Sequence, residues 1–235
     1  MFCTNCGAQV TAETRFCPQC GTTLGGAQPP PPPPVFAPAA AYTAPSGCQA
    51  YPSRWIGAAW TLVTGQLGMF ALIFIVMTAV STIVPLILQG PMIAGMHIVC
   101  WRVALGGRAD LGDLFKGFNF FVPALAACIV ITIFSFLGLF ACIVGALVVS
   151  AMYQFTYLFI IDRKLDFWPA MQASHAIVKQ DYFGFTIFLL ALIGVQILGA
   201  LACLVGLLVT LPMFYAAITV AYKELVGFAS PEPPQ

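Results

Sequence analysis

Charge is what this chain has least of. Nine of its 235 residues are Lys or Arg and eight are Asp or Glu, 7% together, with only two histidines. A soluble domain carries about a quarter charged residues to hold water on its surface, so most of this chain cannot be an ordinary water-facing globule. Residues 1–24 carry only Glu13 and Arg15, without the clustered Lys and Arg that binding to a phosphate backbone requires, and no nucleic-acid partner is expected. Catalytic patterns are missing too. The apolar part holds no intramembrane aspartate pair, Ser/His dyad or HExxH, and no nucleophile–base set that would suit a lipid-handling enzyme. The chain reads as non-enzymatic.

What is present begins with four cysteines, Cys3-x2-Cys6 and Cys17-x2-Cys20, each pair followed by glycine (Gly7, Gly21). Two CxxC knuckles supply four thiolates, a complete tetrahedral shell for Zn²⁺. The glycines suit the positive φ of a tight turn beneath a metal. Two redox-active CxxC pairs are the competing reading, and the segment is too short for a thioredoxin-like βαβ context. A module this small buries no useful core, so the metal must supply most of its folding free energy, on the order of 10–16 kcal/mol for structural zinc. With thiolates filling every position, no site is left for an activated water, so the zinc is expected to be structural. Residues 1–24 resemble the short zinc-ribbon family, whose members bind nucleic acid in some contexts and proteins in others. Between them Glu13 and Arg15 leave the segment with zero net charge, which favours a protein contact.

Residues 25–53 form a Pro/Ala-rich linker with an unbroken proline run at 29–34 and no charge before its end. Six prolines favour polyproline II at roughly 3.1 Å per residue, a stiff spacer near 19 Å with a looser tail. Cys48 within it is a conceivable acylation site, although a lone linker cysteine is more often unmodified. Past Trp55 come windows of 18 or more uncharged residues that read as transmembrane helices. A cysteine knuckle stands where a secretory leader would have its basic region, so the first membrane helix is expected to target the chain.

An internal repeat sets the expected helix count. Leu137-Gly138, Ala141-Cys142 and Val144-Gly145 recur 61 residues later as Leu198-Gly199, Ala202-Cys203 and Val205-Gly206, and Met152 then aligns with Met213. A fainter copy places Pro91-Met92 against Pro212-Met213. A basic residue follows ten or eleven positions past each methionine: Arg102, Arg163 and Lys223. The expected fold is an all-α polytopic membrane bundle, with six helices as three hairpins over residues 54–227 and a tail at 228–235. The expected spans are 56–77, 80–103, 119–137, 140–161, 183–199 and 203–222; Gln89-Gly90-Pro91 is an alternative turn for the first hairpin.

Every charged residue falls before, between or after these hairpins, and none at their tips. All charged segments then share one face, which the positive-inside rule makes cytoplasmic. Reduced zinc thiolates require the same side. The expectation is a multi-pass inner-membrane protein with both termini cytoplasmic. Two segments read as interfacial helices. In one, Leu111, Leu114, Phe115 and Phe118 oppose Asp110, Asp113 and Lys116. In the other, 167–181, Asp166 is the N-cap and Gln172, Lys179 and Gln180 face water. Trp55, Trp101 and Trp168 stand where an aromatic belt would.

Residues 55–225 also resemble a broad family of bacterial membrane proteins that includes the membrane domain beside glycerophosphodiester phosphodiesterase domains. The resemblance rests on Gly90-Pro91, on Asp113-Leu-Phe-Lys-Gly-Phe118, and on Ala170-x3-Ser174 with Lys179 following. The chain departs from it at Ser150-Ala151, where such proteins often have a proline-glycine kink. The resemblance implies a membrane fold and no activity, since no phosphodiesterase-like segment is present.

His97 is the main ionisable candidate inside the expected helices, with Gln66, Gln89, Gln154 and Gln196. It is read as a packing histidine ahead of a proton relay. Cys142 and Cys203, repeat-related, are read as packing residues ahead of a metal or redox pair, and His175 as facing water. The sequence thus describes a membrane anchor carrying a cytoplasmic zinc ribbon that docks a protein partner, with membrane lipids around the body. The competing reading is a small-molecule or lipid transporter built from hairpin repeats. Replacing Cys3, Cys6, Cys17 and Cys20 by serine is expected to abolish bound zinc and unfold the ribbon without preventing membrane insertion, as checked by metal analysis of the purified protein and membrane fractionation.

Overall fold

A computed structural model describes residues 5–9, 18–21, 42–85, 87–141 and 143–233. The chain divides into a unit at 1–35 and a unit at 36–235.

In the larger unit every element is helical: α1 (Pro52–Thr64), α2 (Leu67–Ile83), α3 (Gln89–Ala104), α4 (Leu111–Lys116), α5 (Phe121–Ala141), α6 (Ile143–Met152), α7 (Thr156–Arg163), α8 (Phe167–Val178), α9 (Tyr182–Leu201) and α10 (Cys203–Leu225), with a 3-10 turn at Gly117–Phe120. Among the described residues four helices are long and apolar enough to cross a membrane: Leu111–Gly138, Gly145–Arg163, Tyr182–Leu201 and Gly206–Leu225. A fifth is added if α1 and α2, bent by 94°, are counted as one span.

Four of the six expected spans match these helices closely. Those at 119–137 and 140–161 lie on α5 and on α6–α7, and those at 183–199 and 203–222 on α9 and α10. Both later hairpins close through the repeated glycines. A Cβ on Gly145 would stand 2.8 Å from the Gly138 carbonyl oxygen, and one on Gly206 would overlap Gly199 outright. Glycine lets the two backbones touch where no hydrophobic force between helices exists to hold them, so packing and close contact supply the association.

The first pair differs. No straight helix occupies 56–77, because Gly65 and Gln66 interrupt it. Gln66 leaves the helical region (φ −139°, ψ 38°), and its amide binds another segment, donating to Gly107 O (3.1 Å) and accepting from Ala109 N (2.7 Å). The span expected at 80–103 is interrupted as well. Val84 precedes Pro85, a position where the α conformation is sterically disfavoured, and it takes φ −134° and ψ 85°. The chain therefore turns over 84–88. Helix α3 starts at Gln89, with Pro91 tolerated in its first turn.

Helix α3 sits at the centre of the unit, contacted by α4, α5, α7 and α10. It is buried almost continuously from Gly90 to Trp101. Gly117 lies directly on its backbone at Pro91 and Gly95, which accounts physically for the Gly90-Pro91 and Lys116-Gly117 elements singled out from the sequence. In the helix expected around 111–118 one of the charged residues turns inward. Asp113 is buried, neutralised on both sides by Arg102 Nε at 2.6 Å and Lys116 Nζ at 3.0 Å. A buried carboxylate is tolerated only with such pairing.

Two expected belt tryptophans are interior. Trp55 is fully buried against Phe185 and Phe188, its indole N–H donating to Glu224 Oε2 (3.1 Å). Trp101 is 1% exposed, while Trp168 is 49% exposed. Residues 42–51, assigned to the linker, pack on the body. Gln180 Oε1 accepts from the N–H groups of Gly47 and Cys48, and Asp181 Oδ2 from that of Ala50.

The hairpin glycines give a direct test. Gly206→Leu is expected to destabilise the α9–α10 hairpin by about 1–3 kcal/mol through overpacking, whereas Gly194→Leu, with nothing within 4 Å of its Cβ position, should be near neutral; thermal unfolding in detergent reads both.

Candidate functional site

Three arrangements could carry function: the ribbon, an interior polar cluster, and a charged cluster where both ends of the larger unit meet.

In the ribbon, Cys6 and Cys20 are described and exposed, and each is followed by glycine at positive φ (Gly7 73°, Gly21 71°). That is the turn expected under each knuckle. Cys3 and Cys17 lie outside the described residues. Among the described residues no three His, Cys, Asp or Glu side chains converge as a metal site. The donor chemistry fits Zn²⁺: four cysteines in two knuckles, with both left-handed glycines in place.

The interior cluster is built on His97. Its ring is 2% exposed and its Nδ1 lies 2.9 Å from Thr219 Oγ1. The Thr219 hydroxyl donates to Tyr215 O (2.8 Å), so the bond with His97 must run from Nδ1–H to the hydroxyl. The lone pair is left on Nε2. Tyr215 meets the ring edge-on at 5.5 Å and Tyr157 stacks at 6.5 Å. Sequence reasoning selected His97 and missed its neighbours, although a signal existed. His97 and Tyr157 each stand five residues past Met92 and Met152, methionines aligned in the sequence; no such spacing marks Tyr215 or Thr219.

The expected glutamine partners do not join His97 at this centre. Gln66 binds the 107–109 loop, Gln89 is exposed, and Gln196 pairs with Thr210 (Nε2 to O 2.7 Å, Oγ1 to Oε1 2.9 Å). Gln154 is buried in the break between α6 and α7, and neither end of its amide has a partner among the described residues. That break is spliced by Ser174 of α8, whose hydroxyl donates to Met152 O (2.7 Å) and accepts from Phe155 N (3.3 Å). Ser174 therefore repairs a broken helix, a structural role for the residue that closes the Ala170-x3-Ser174 element. Asp166 does cap α8, accepting from Phe167 N at 2.8 Å. His175 is half-buried and lies 2.6 Å from Tyr182 Oη. Cys142 and the Cys203 side chain lie outside what is described.

The third arrangement centres on Asp162 and Arg163 at the end of α7, which pair at 3.0 Å. Asp162 also accepts from Tyr222 Oη (2.7 Å) and from Ala229 N (2.8 Å). Arg163 lies 6.0 Å from the Tyr42 ring centroid and reaches Gly227 O at 3.4 Å. Burial holds the Tyr42 phenol above its usual pKa, against the opposing pull of Arg163. Cys48, the candidate for acylation, is 5% exposed, and its thiol points to Pro45 O at 3.4 Å. Burial pushes that thiol above its ordinary value, so it is a poor nucleophile where it sits.

A family model described as a zinc-ribbon domain matches residues 2–24. The N-terminus is a zinc ribbon. An uncharacterized protein of Mycobacterium tuberculosis is 24% identical over 134 residues, 57% of this chain and 41% of that protein. An uncharacterized protein of Mycobacterium bovis aligns to the same extent. The chain spans about two fifths of the length of these curated relatives. No solved structure matches. These matches do not show the resemblance to the membrane domain beside glycerophosphodiester phosphodiesterases.

Thr219→Val removes the acceptor that His97 Nδ1–H uses, and leaving a buried donor unsatisfied is expected to lower stability by about 1–3 kcal/mol. Thermal unfolding in detergent measures this, and Thr219→Ser should restore it.

Proposed function

We propose that the protein is a non-enzymatic membrane anchor whose zinc ribbon, held on a proline spacer at the cytoplasmic face, docks a protein partner. The observation that carries this reading is the placement of His97, buried in a hydrogen-bonded and aromatic cluster with Thr219, Tyr215 and Tyr157. A transporter needs ionisable or polar groups on an accessible route, so the packed centre argues against the transport reading.

In this proposal zinc is held by Cys3, Cys6, Cys17 and Cys20 and shapes the ribbon without taking part in a reaction. Six crossings are formed by α2, α3, α5, α6–α7, α9 and α10, and both termini stay on the cytoplasmic side of the inner membrane. Helix α1 then joins α4 and α8 as an interfacial helix. In support of this, both its ends are tied to the charged end of the bundle, Arg54 and Trp55 to Glu224 and the Gln66 that follows it to the 107–109 loop. Helices α2 and α3 have 17 and 16 residues, about 25 Å at 1.5 Å per residue. They would cross by local thinning of the bilayer.

Because residues 42–51 pack on the body, the free spacer is shorter than 25–53. A shorter tether raises the effective concentration of the ribbon near membrane-bound partners. Crosslinking in native membranes, comparing the full-length chain with the form in which all four ribbon cysteines are serine, tests the proposal. Loss of specific partners with insertion intact supports docking; an unchanged partner set overturns it.

A further inference from the structure

Nine residues past the repeat methionines stand Trp101, Ile161 and Tyr222, all buried at the charged end of the bundle. The tail turns back over this position. After α10 ends at Leu225, Gly227 takes φ 73°, a left-handed turn that glycine adopts without strain. Phe228 then stacks on Trp101, with centroids 4.3 Å apart and planes at 14°, and lies 6.0 Å from Tyr222. The buried Cys100 adjoins Trp101 in sequence, and the buried His97 lies one turn further into α3. The backbone on either side of Phe228 is held by the α7 ion pair, Arg163 reaching Gly227 O and Ala229 N donating to Asp162. Tyr42, near the start of the docked linker segment, covers the same Arg163 and meets Phe159 edge-on at 4.8 Å.

We propose that residues 227–229 form a plug closing the charged end of the His97 column, and that Tyr42 latches the plug through Arg163. An independent observation fits a segment that can be displaced. The Trp101 indole N–H is buried and has no partner among the described residues, a cost that admission of water beside a displaced Phe228 would relieve. A stacked aromatic pair, a backbone anchor and a glycine turn make a segment that can leave as a unit. A partner that draws on the ribbon's tether would disturb Tyr42 first, and through Arg163 the plug. That coupling rests on the docking proposal, whereas the plug itself does not.

Cys100 is a native reporter, fully buried between His97 and Trp101, and Cys128 on α5, beside Tyr157, is a second buried reporter in the same cluster; thermal unfolding in detergent reports the fold as a whole. The full-length protein in native membranes is treated with N-ethylmaleimide, and the peptides carrying the two cysteines are quantified by mass spectrometry. Phe228→Ala is expected to raise labelling of Cys100 roughly tenfold, as an aromatic closure is lost, and to leave the thermal unfolding midpoint close to the wild-type value. Phe228→Trp should stay at the wild-type rate. Tyr42→Ala should raise Cys100 labelling severalfold. No rise with Phe228→Ala overturns the plug, and a rise accompanied by a large fall in the unfolding midpoint overturns it in favour of a loosened fold. A rise with Phe228→Ala but none with Tyr42→Ala overturns the latch. None of these readings needs the ribbon's partner, so they fail separately from the docking proposal, which is read in the crosslinked partner set.

Discussion

An apolar medium offers no hydrogen-bond partners, so every interruption of a helix must be repaired from within the chain. The larger unit is organised around such repairs. At the bend between α1 and α2 the side chain of Gln66 ties the break to the 107–109 loop. At the break between α6 and α7 Ser174 bonds both freed backbone groups. These repairs determine where the short helices can lie. Helix α8 must present Ser174 to the break, and α4 must bring Asp113 to Arg102. What resembles a set of passive interfacial connections is a set of wedges, each fastened by one polar contact to the core of the bundle.

Three helices meet at what the wedges surround. His97 of α3, Tyr157 of α7, and Tyr215 and Thr219 of α10 form one cluster. The segments matched by sequence bend differently. Helix α10 carries Pro212 and stays continuous, whereas the matching position, Ala151, lies just before the break that Ser174 repairs. In the first copy Pro85 and Gln66 divide the chain, so the glycine-closed hairpin of the later copies is not reproduced there.

Both ends of the larger unit converge on Asp162 and Arg163. That pair is worth more than an exposed ion pair because it is largely shielded from water and shares its oxygens with a phenol and a backbone amide. It places the docked part of the linker and the folded-back tail within reach of one another, an arrangement that a free spacer and a free tail would not have. The larger unit is thus fastened at both of its described ends to the same ion pair.

The sequence by itself determined the features that depend on local chemistry. The cysteine spacing specified a ribbon, with Gly7 and Gly21 turning as that spacing requires. Apolar run length located α5, α9 and α10, and the repeated glycines marked two close helix pairs. Only the tertiary structure decided which polar groups go inside. Asp113 reads as water-facing from its helical position, yet it is buried because Arg102, eleven residues earlier, comes round to pair with it. Trp55 and Trp101 read as belt residues and are core, because α9 and the tail supply aromatic partners distant in sequence. Residues 42–51 read as spacer and are docked, since Gln180 and Asp181 lie more than 130 positions away. Periodicity records a residue's preference for water or oil along its own helix. The partner that reverses the preference arrives through the fold, and a single chain read in order carries no record of that meeting.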